Sequence, residues 1–191
     1  MPIDHPQFHP DHPLAADANT TLKKVMSAED IDQACAKMAE AINKEYADKQ
    51  LLVVGILKGA LLFMADLVRH LDLDVDVDFV RLSSYGRAKE SSGTVTVVKD
   101  IGQNIEGKDI LIVDEIVDSG RTLEFLSKRF RASGANSVKI AALLDKKSKR
   151  VVPIEPDFVG VEIPDQFLIG YGLDLEGTCR NMADVFYVER T

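Results

Sequence analysis

Only two cysteines, Cys35 and Cys179, occur in the 191 residues. So few thiols, one of them inside a helical pattern, suggest neither a disulfide framework nor a thiolate metal site, and the reading is a reduced, intracellular protein. Positive charge is scarce too: 23 Lys and Arg against 31 Asp and Glu give a formal net charge of −8. Such a surface is a poor match for nucleic acid or an anionic membrane, so an anionic ligand must be gripped by a local cluster of donors. No apolar run approaches the length that crosses a bilayer. The amino-terminal MPIDHPQFHPDHPLAAD has no cationic region followed by an apolar stretch, so it does not read as a secretion signal. The expectation is a cytoplasmic protein. Neither G-x-x-x-x-G-K-[ST] nor G-x-G-x-x-G occurs, which removes the two commonest nucleotide-binding loops.

What is present suffices for one domain. Apolar residues make up 46% of the chain, and a chain of this size usually builds a single core. In the first residues His5, His9 and His12 alternate with Pro6, Pro10 and Pro13, which forbid a helix that would gather the imidazoles on one face. Residues 1–20 are read as a flexible, solvated or partner-facing arm. From Ser27 onward Ile31, Cys35, Met38, Ile42 and Tyr46 recur at helical spacing, with Ser27 as N-cap and Asp30 three residues on.

LLVVGIL (51–57) is an unbroken apolar run of strand length, followed by Lys58-Gly59 and by ALLFMADLVRHL (60–71) at helical spacing. DVDVDFVRLSS (74–84) alternates acid and apolar residues, the mark of a strand with one wet face and a candidate for a sheet edge. TVTVVKD (94–100) is read as its neighbour. KDILIV (108–113) is again wholly apolar after its first residues, and TLEFLSKRFRASG (122–134) reads as a helix closed by Gly134. Residues 137–145, 157–163 and 184–190 are further strands. Apolar strands interleaved with helices make this an α/β domain whose parallel sheet is covered on both faces.

Ligands of open parallel sheets bind at the carboxyl ends of strands. There the chain places Leu57-Lys58-Gly59, and there it places Asp114, Glu115 and Asp118 in ILIVDEIVDSGRT (110–122). In the second loop the Ser119 and Thr122 hydroxyls, the backbone N–H groups of Ser119 to Thr122 and the helix dipole can converge on a phosphate monoester. The adjacent carboxylates Asp114 and Glu115 suit ribose hydroxyls or a hydrated Mg²⁺. Helix capping explains one of these acids, Asp118, and leaves two without a purpose.

The whole stretch resembles the 5-phosphoribosyl-1-diphosphate (PRPP) motif of the type I phosphoribosyltransferases: an apolar strand, two acids, two apolar residues, then D-[ST]-G-x-T. Leu57-Lys58-Gly59 resembles that family's pyrophosphate loop, Ser84-Tyr85-Gly86 with Ser91-Ser92-Gly93 its mobile loop, and Leu143-Leu144-Asp145-Lys146 its purine-contacting strand end. Pro156 to Gly160, Ile163 to Phe167, Gly170-Tyr171 and Leu173-Asp174 are similar to the hypoxanthine-guanine branch. The likeness runs from about residue 50 to residue 180.

The resemblance implies a mainly parallel sheet flanked by helices, with a core at about 50–150 and a small hood from 21–50 and 151–191. It implies a Mg²⁺-dependent enzyme that joins PRPP to a 6-oxopurine, uses no nucleic acid or membrane partner, and forms homodimers or homotetramers. Asp118 would be the general base at purine N7, and Ser119, Gly120, Arg121 and Thr122 would hold the 5′-phosphate. Asp114 and Glu115 would take the ribose hydroxyls, directly or through Mg²⁺, with Asp174 as a further metal ligand. Leu57, Lys58, Gly59, Ser84, Tyr85 and Arg180 would meet pyrophosphate, and the family often has a cis peptide at the position of Leu57–Lys58. Lys146 would donate to O6, Phe167 would stack on the ring, and main-chain groups near Gln166 and Leu168 would read its edge. The acid pair stands here as Asp-Glu, where this branch more often has Glu-Asp. A nucleic-acid-binding regulator on the same fold would need a basic face that the −8 charge does not provide.

Overall fold

The computed structural model describes residue 14 and residues 20–84 and 95–190. Its centre is a six-stranded sheet in the order β4-β3-β2-β5-β6-β7. The strands are β2 (Leu51–Leu57), β3 (Val75–Ser84), β4 (Val95–Lys99), β5 (Asp109–Val117), β6 (Ser137–Asp145) and β7 (Phe158–Glu162). All neighbours are parallel except the antiparallel pair β3 and β4.

The unbroken apolar strands are the ones buried on both faces, because a central parallel strand has helices above and below it. Leu51, Val53, Leu111 and Val113 point into one cluster, with Ile31, Cys35, Met38 and Ile42 of α1 (Ala28–Glu45) and Phe63, Met64 and Leu67 of α2 (Leu61–Arg69). The alternate residues Leu52, Val54, Ile110 and Ile112 point into a second cluster, with Leu123, Leu126 and Phe130 of α3 (Arg121–Ala132). Each such side chain, fully buried, contributes roughly 1.5–3 kcal/mol to folding before the entropy cost is subtracted. Helix α1 begins as its sequence indicates: Ser27 Oγ accepts from the Asp30 N–H at 3.1 Å, and Asp30 accepts from the Ser27 N–H at 2.8 Å.

One expectation needs correction. The acid-alternating strand β3 is not at the sheet edge; β4 lies outside it. Its wet-face acids are satisfied by lysines brought from elsewhere, Asp78 by Lys99 at 3.0 Å and Asp76 by Lys108 at 2.9 Å. The strand read at 184–190 is β9 (Val185–Arg190), which lies outside the central sheet. It forms a three-stranded antiparallel sheet, order β1-β9-β8, with β1 (Thr20–Met26) and the two-residue β8 (Leu168–Ile169). Ile169, Cys179, Met182 and Phe186 make the separate core of this small sheet. The arm before residue 20 lies, apart from Leu14, outside the described residues.

The strand order reverses between β2 and β5: β3 and β4 lie to one side, β6 and β7 to the other. At such a switch point the loops leaving adjacent strands part and open a crevice at the carboxyl ends. The loops in question are 57–60 and 118–120.

Candidate active site

Helix α3 starts at Arg121, and its N-cap is Gly120 in the left-handed conformation at φ 78°, with no side-chain cap. Asp118 therefore caps nothing, and the bland reading of that acid is removed. Glycine is required here twice over: φ is positive, and a Cβ would sit 2.5 Å from Ile154 Cγ2. At this turn the Arg121 N–H reaches Ser119 Oγ only at 3.4 Å. An uncapped helix N-terminus of this kind is an anion site by its dipole and its free donors.

Across the crevice the Leu57–Lys58 peptide is cis, as the resemblance implied. Next to it Gly59 lies directly against Glu115: a Cβ on Gly59 would fall 1.6 Å from Glu115 Oε1. The segment following β8 is seated on the same loop, since a Cβ on Gly172 would fall 2.0 Å from the Gly59 carbonyl oxygen. That segment carries Asp174 and Arg180. Arg180 donates to the Gly172 carbonyl at 2.5 Å and to Asp174 Oδ1 at 2.5 Å, and the Gly177 N–H donates to Asp174 Oδ2 at 2.7 Å.

The end of β5 holds an acid pair that is partly withdrawn from water. Burial, reinforced by the Glu115 charge, pushes the Asp114 carboxyl well above the usual carboxylate range. Glu115 is raised by burial as well, while its hydrogen bond from Asp114 and the Arg180 charge pull the other way. The two acids share a hydrogen bond, so their titrations are coupled.

Beyond them lies a cavity of about 150 Å³ lined by Glu115, Ile116, Asp118, Lys146, Phe167, Leu168, Leu173 and Asp174. That is on the order of ten times what one water needs, room for a small ring compound. Lys146 is buried and places Nζ 3.3 Å from Asp118 Oδ1. Phe167 lines the cavity and is 52% exposed.

The site thus has a helix N-terminus without a side-chain cap, an adjacent pair of acids and a ring-sized cavity with one acid and one ammonium. A model of the phosphoribosyl transferase domain matches residues 22–176 of this chain. The chain belongs to the phosphoribosyltransferase family. It is a transferase.

The hypoxanthine-guanine phosphoribosyltransferase of Bacillus subtilis is 46% identical to it over 160 residues, covering 84% of this chain and 89% of that protein. The protein of the same name from Staphylococcus epidermidis is 44% identical over 162 residues, covering 84% and 90%. The crystal structure of a hypoxanthine phosphoribosyltransferase from Staphylococcus aureus superposes with a TM-score of 0.85 at 36% identity, covering 94% of this chain and 96% of that one.

The residues present fit the divalent cation that a phosphoribosyltransferase fold implies. Glu115 and Asp174 line one cavity with hard oxygens, yet among the described residues no cluster of three or more potential ligands converges. Mg²⁺ suits such a sparse site, because it keeps waters and takes further oxygens from substrate phosphates.

Of the residues that the sequence assigned, Glu115, Asp118, Lys146, Phe167, Leu168 and Asp174 meet in the cavity. Gly59 and Arg180 adjoin Glu115, and Ser119 to Thr122 form the helix entry. Lys58 is exposed beside them. Gln166 does not line the cavity; its side chain is exposed and its N–H is given to the Pro164 carbonyl at 2.9 Å. Ser84 ends β3, and Tyr85 with the rest of the loop to 94 lies outside the described residues.

Lys146 is followed by three further cations, Lys147, Lys149 and Arg150. Lys147 and Lys149 do form exposed pairs, with Glu162 and Asp165 at 2.8 Å each. Arg150 does not: it is buried against Asp145 and was missed. The available signal was Asp145 itself, an acid at the end of a strand whose preceding residues are all apolar back to Ile140.

Proposed function

We propose that this phosphoribosyltransferase carries out the Mg²⁺-dependent transfer of the 5-phosphoribosyl group of PRPP to N9 of hypoxanthine or guanine. The products would be IMP or GMP and pyrophosphate, and the role cytoplasmic purine salvage. The observation that carries this reading is the meeting of Asp118 and Lys146 at 3.3 Å over a ring-sized cavity. A carboxylate and an ammonium so spaced match N7 and O6 on one edge of a 6-oxopurine.

Lys146 donates to O6, and a 6-amino group there would have no lone pair to offer, leaving a buried ammonium without its partner. Asp118 accepts or shares the N7 proton as charge develops on the base. Phe167 stacks on the ring from the open side. The amides at the start of α3, with Ser119 and Thr122, hold the 5′-phosphate, while Asp114 and Glu115 take the ribose hydroxyls. As the C1′–O bond breaks, Lys58 and Arg180 offset the charge growing on pyrophosphate. Asp174 and Glu115 would hold Mg²⁺, which when bound would supply further charge neutralisation to the leaving group.

The names of the relatives support the 6-oxopurine substrates, and a homodimer or homotetramer is the assembly we expect. A nucleic-acid-binding regulator finds no support in a chain of net charge −8. The test is direct: purified protein with Mg²⁺ and PRPP should convert hypoxanthine to IMP. Absence of turnover with hypoxanthine, guanine and xanthine alike would refute the proposal.

A further inference from the structure

The phosphate loop is braced by a residue that belongs to the next strand's exit. After β6 the chain passes through the 3-10 turn Lys147–Lys149 and runs back alongside residues 117–119. The Lys146 N–H donates to the Val117 carbonyl at 2.9 Å, and the Val151 N–H to the Ser119 carbonyl at 3.1 Å. Between these two bonds Arg150 turns inward, its side chain 9% exposed.

Arg150 makes three contacts there. Nη1 donates to the Asp118 main-chain carbonyl at 2.8 Å. Nη2 donates to Asp145, whose side chain is fully buried at the end of β6 and in register with Val117. The methylene stem lies under the turn, since a Cβ on Gly120 would come within 3.0 Å of Arg150 Cδ. The pair is not optimal for stability alone: Arg150 Nε and one Asp145 oxygen are buried with no protein partner. Buried ion pairs of this kind are often matched or bettered by apolar residues of similar volume. An apolar residue could fill the space, but it could not donate to the carbonyl of Asp118.

We infer that Arg150, locked in place by Asp145, is a positioning residue for the reaction. It touches no substrate. It fixes the peptide after Asp118, and with it both the direction of the first α3 amides and the aim of the Asp118 carboxylate. The guanidinium suits this because its rigid fork serves a carboxylate and a carbonyl at once, which a single ammonium does with poorer geometry. This inference rests on the reading of residues 118–122 as the 5′-phosphate cradle.

The experiment compares wild type with Arg150→Met, Arg150→Lys and Asp145→Asn by varying PRPP and hypoxanthine separately, alongside thermal unfolding. Arg150→Met should lower kcat/KM for PRPP by at least about tenfold, with the KM for hypoxanthine at saturating PRPP moving less than about threefold. Arg150→Lys should recover part of the loss, and Asp145→Asn should show the same PRPP-weighted defect in milder form. A folded Arg150→Met enzyme within about twofold of wild type for PRPP would overturn the inference, as would a fall in Tm with unmoved kinetic constants. If Arg150→Met does not fold, Arg150→Lys and Asp145→Asn decide by the same PRPP readout. An inactive wild type refutes the proposed function and this inference with it; an active wild type with unmoved variants refutes the inference alone.

Discussion

Lys146 Nζ lies 3.3 Å from Asp118 Oδ1, with the lysine side chain 9% exposed and the aspartate 57% exposed. One partner is rooted in the interior and the other reaches out from the loop, so the contact ties the β6 exit to the β5 exit across the floor of the cavity. In the proposed reaction both groups serve the same edge of one base, and each holds the other in place until that base arrives.

Replacing Lys146 by Met should therefore act on base recognition before it acts on folding. Loss of one charged hydrogen bond, about 1.5–3 kcal/mol, corresponds to a fall of roughly 10- to 150-fold in kcat/KM for hypoxanthine. The discrimination against adenine should shrink by a comparable factor, which a substrate panel at fixed PRPP would measure.

Asp118→Asn keeps the shape of the loop and removes the base. Turnover should fall by roughly 10² to 10⁴, while the affinity for PRPP, measured by calorimetry with Mg²⁺, stays near the wild-type value because the cradle amides are untouched. A variant that lost PRPP binding in parallel with turnover would show that Asp118 works on the sugar-phosphate instead.

Gly59→Ala offers a cleaner separation of stability from activity. The added methyl meets the far end of a flexible side chain, Glu115, at 1.6 Å, so the carboxylate can swing aside at little cost to the fold. Stability should change by less than about 1 kcal/mol, yet PRPP binding should weaken by about tenfold or more as Glu115 leaves its place. Chemical denaturation and PRPP titration on the same preparation would check both halves.

Cys35 predicts a pH dependence. Burial first, then the charges of Asp66 and Asp32, push its thiol up to about 12 from an ordinary 9.0. In that interval the folded protein keeps a proton that the unfolded chain gives up, so this contribution is fully present below about pH 9 and is lost as pH rises toward 12. Denaturation of wild type and Cys35→Ala at a series of pH values should show the wild-type advantage narrowing above pH 9. Iodoacetamide at pH 8 should label Cys35 far faster in denaturant than in the native protein.

Much of this was legible in the sequence, for identifiable reasons. The strands 51–57 and 108–113 announced themselves because burial on both faces demands apolar residues at every position, and the motif after the second is confined to consecutive residues. What escaped depends on partners distant in the chain. The acids of β3 look like an exposed edge until Lys99 and Lys108 arrive from other elements. TTLKKVM and Leu168–Ile169 carry too weak a pattern to be read as strands before β9 is laid beside them. Arg150 sits among three lysines and differs from them only in where the loop turns it. The contact of Gly59 with Glu115 joins two motifs that sequence reading had treated separately, and only the parallel pairing of β2 with β5 brings them together.

Gly172 rests on the carbonyl of Gly59, and Gly59 rests on Glu115. Three segments from different parts of the chain are stacked there: backbone on backbone where Gly172 meets Gly59, and backbone on a carboxylate where Gly59 meets Glu115. Backbone cannot yield by changing rotamer, so the Gly172–Gly59 contact leaves no room for even a methyl group between those two segments.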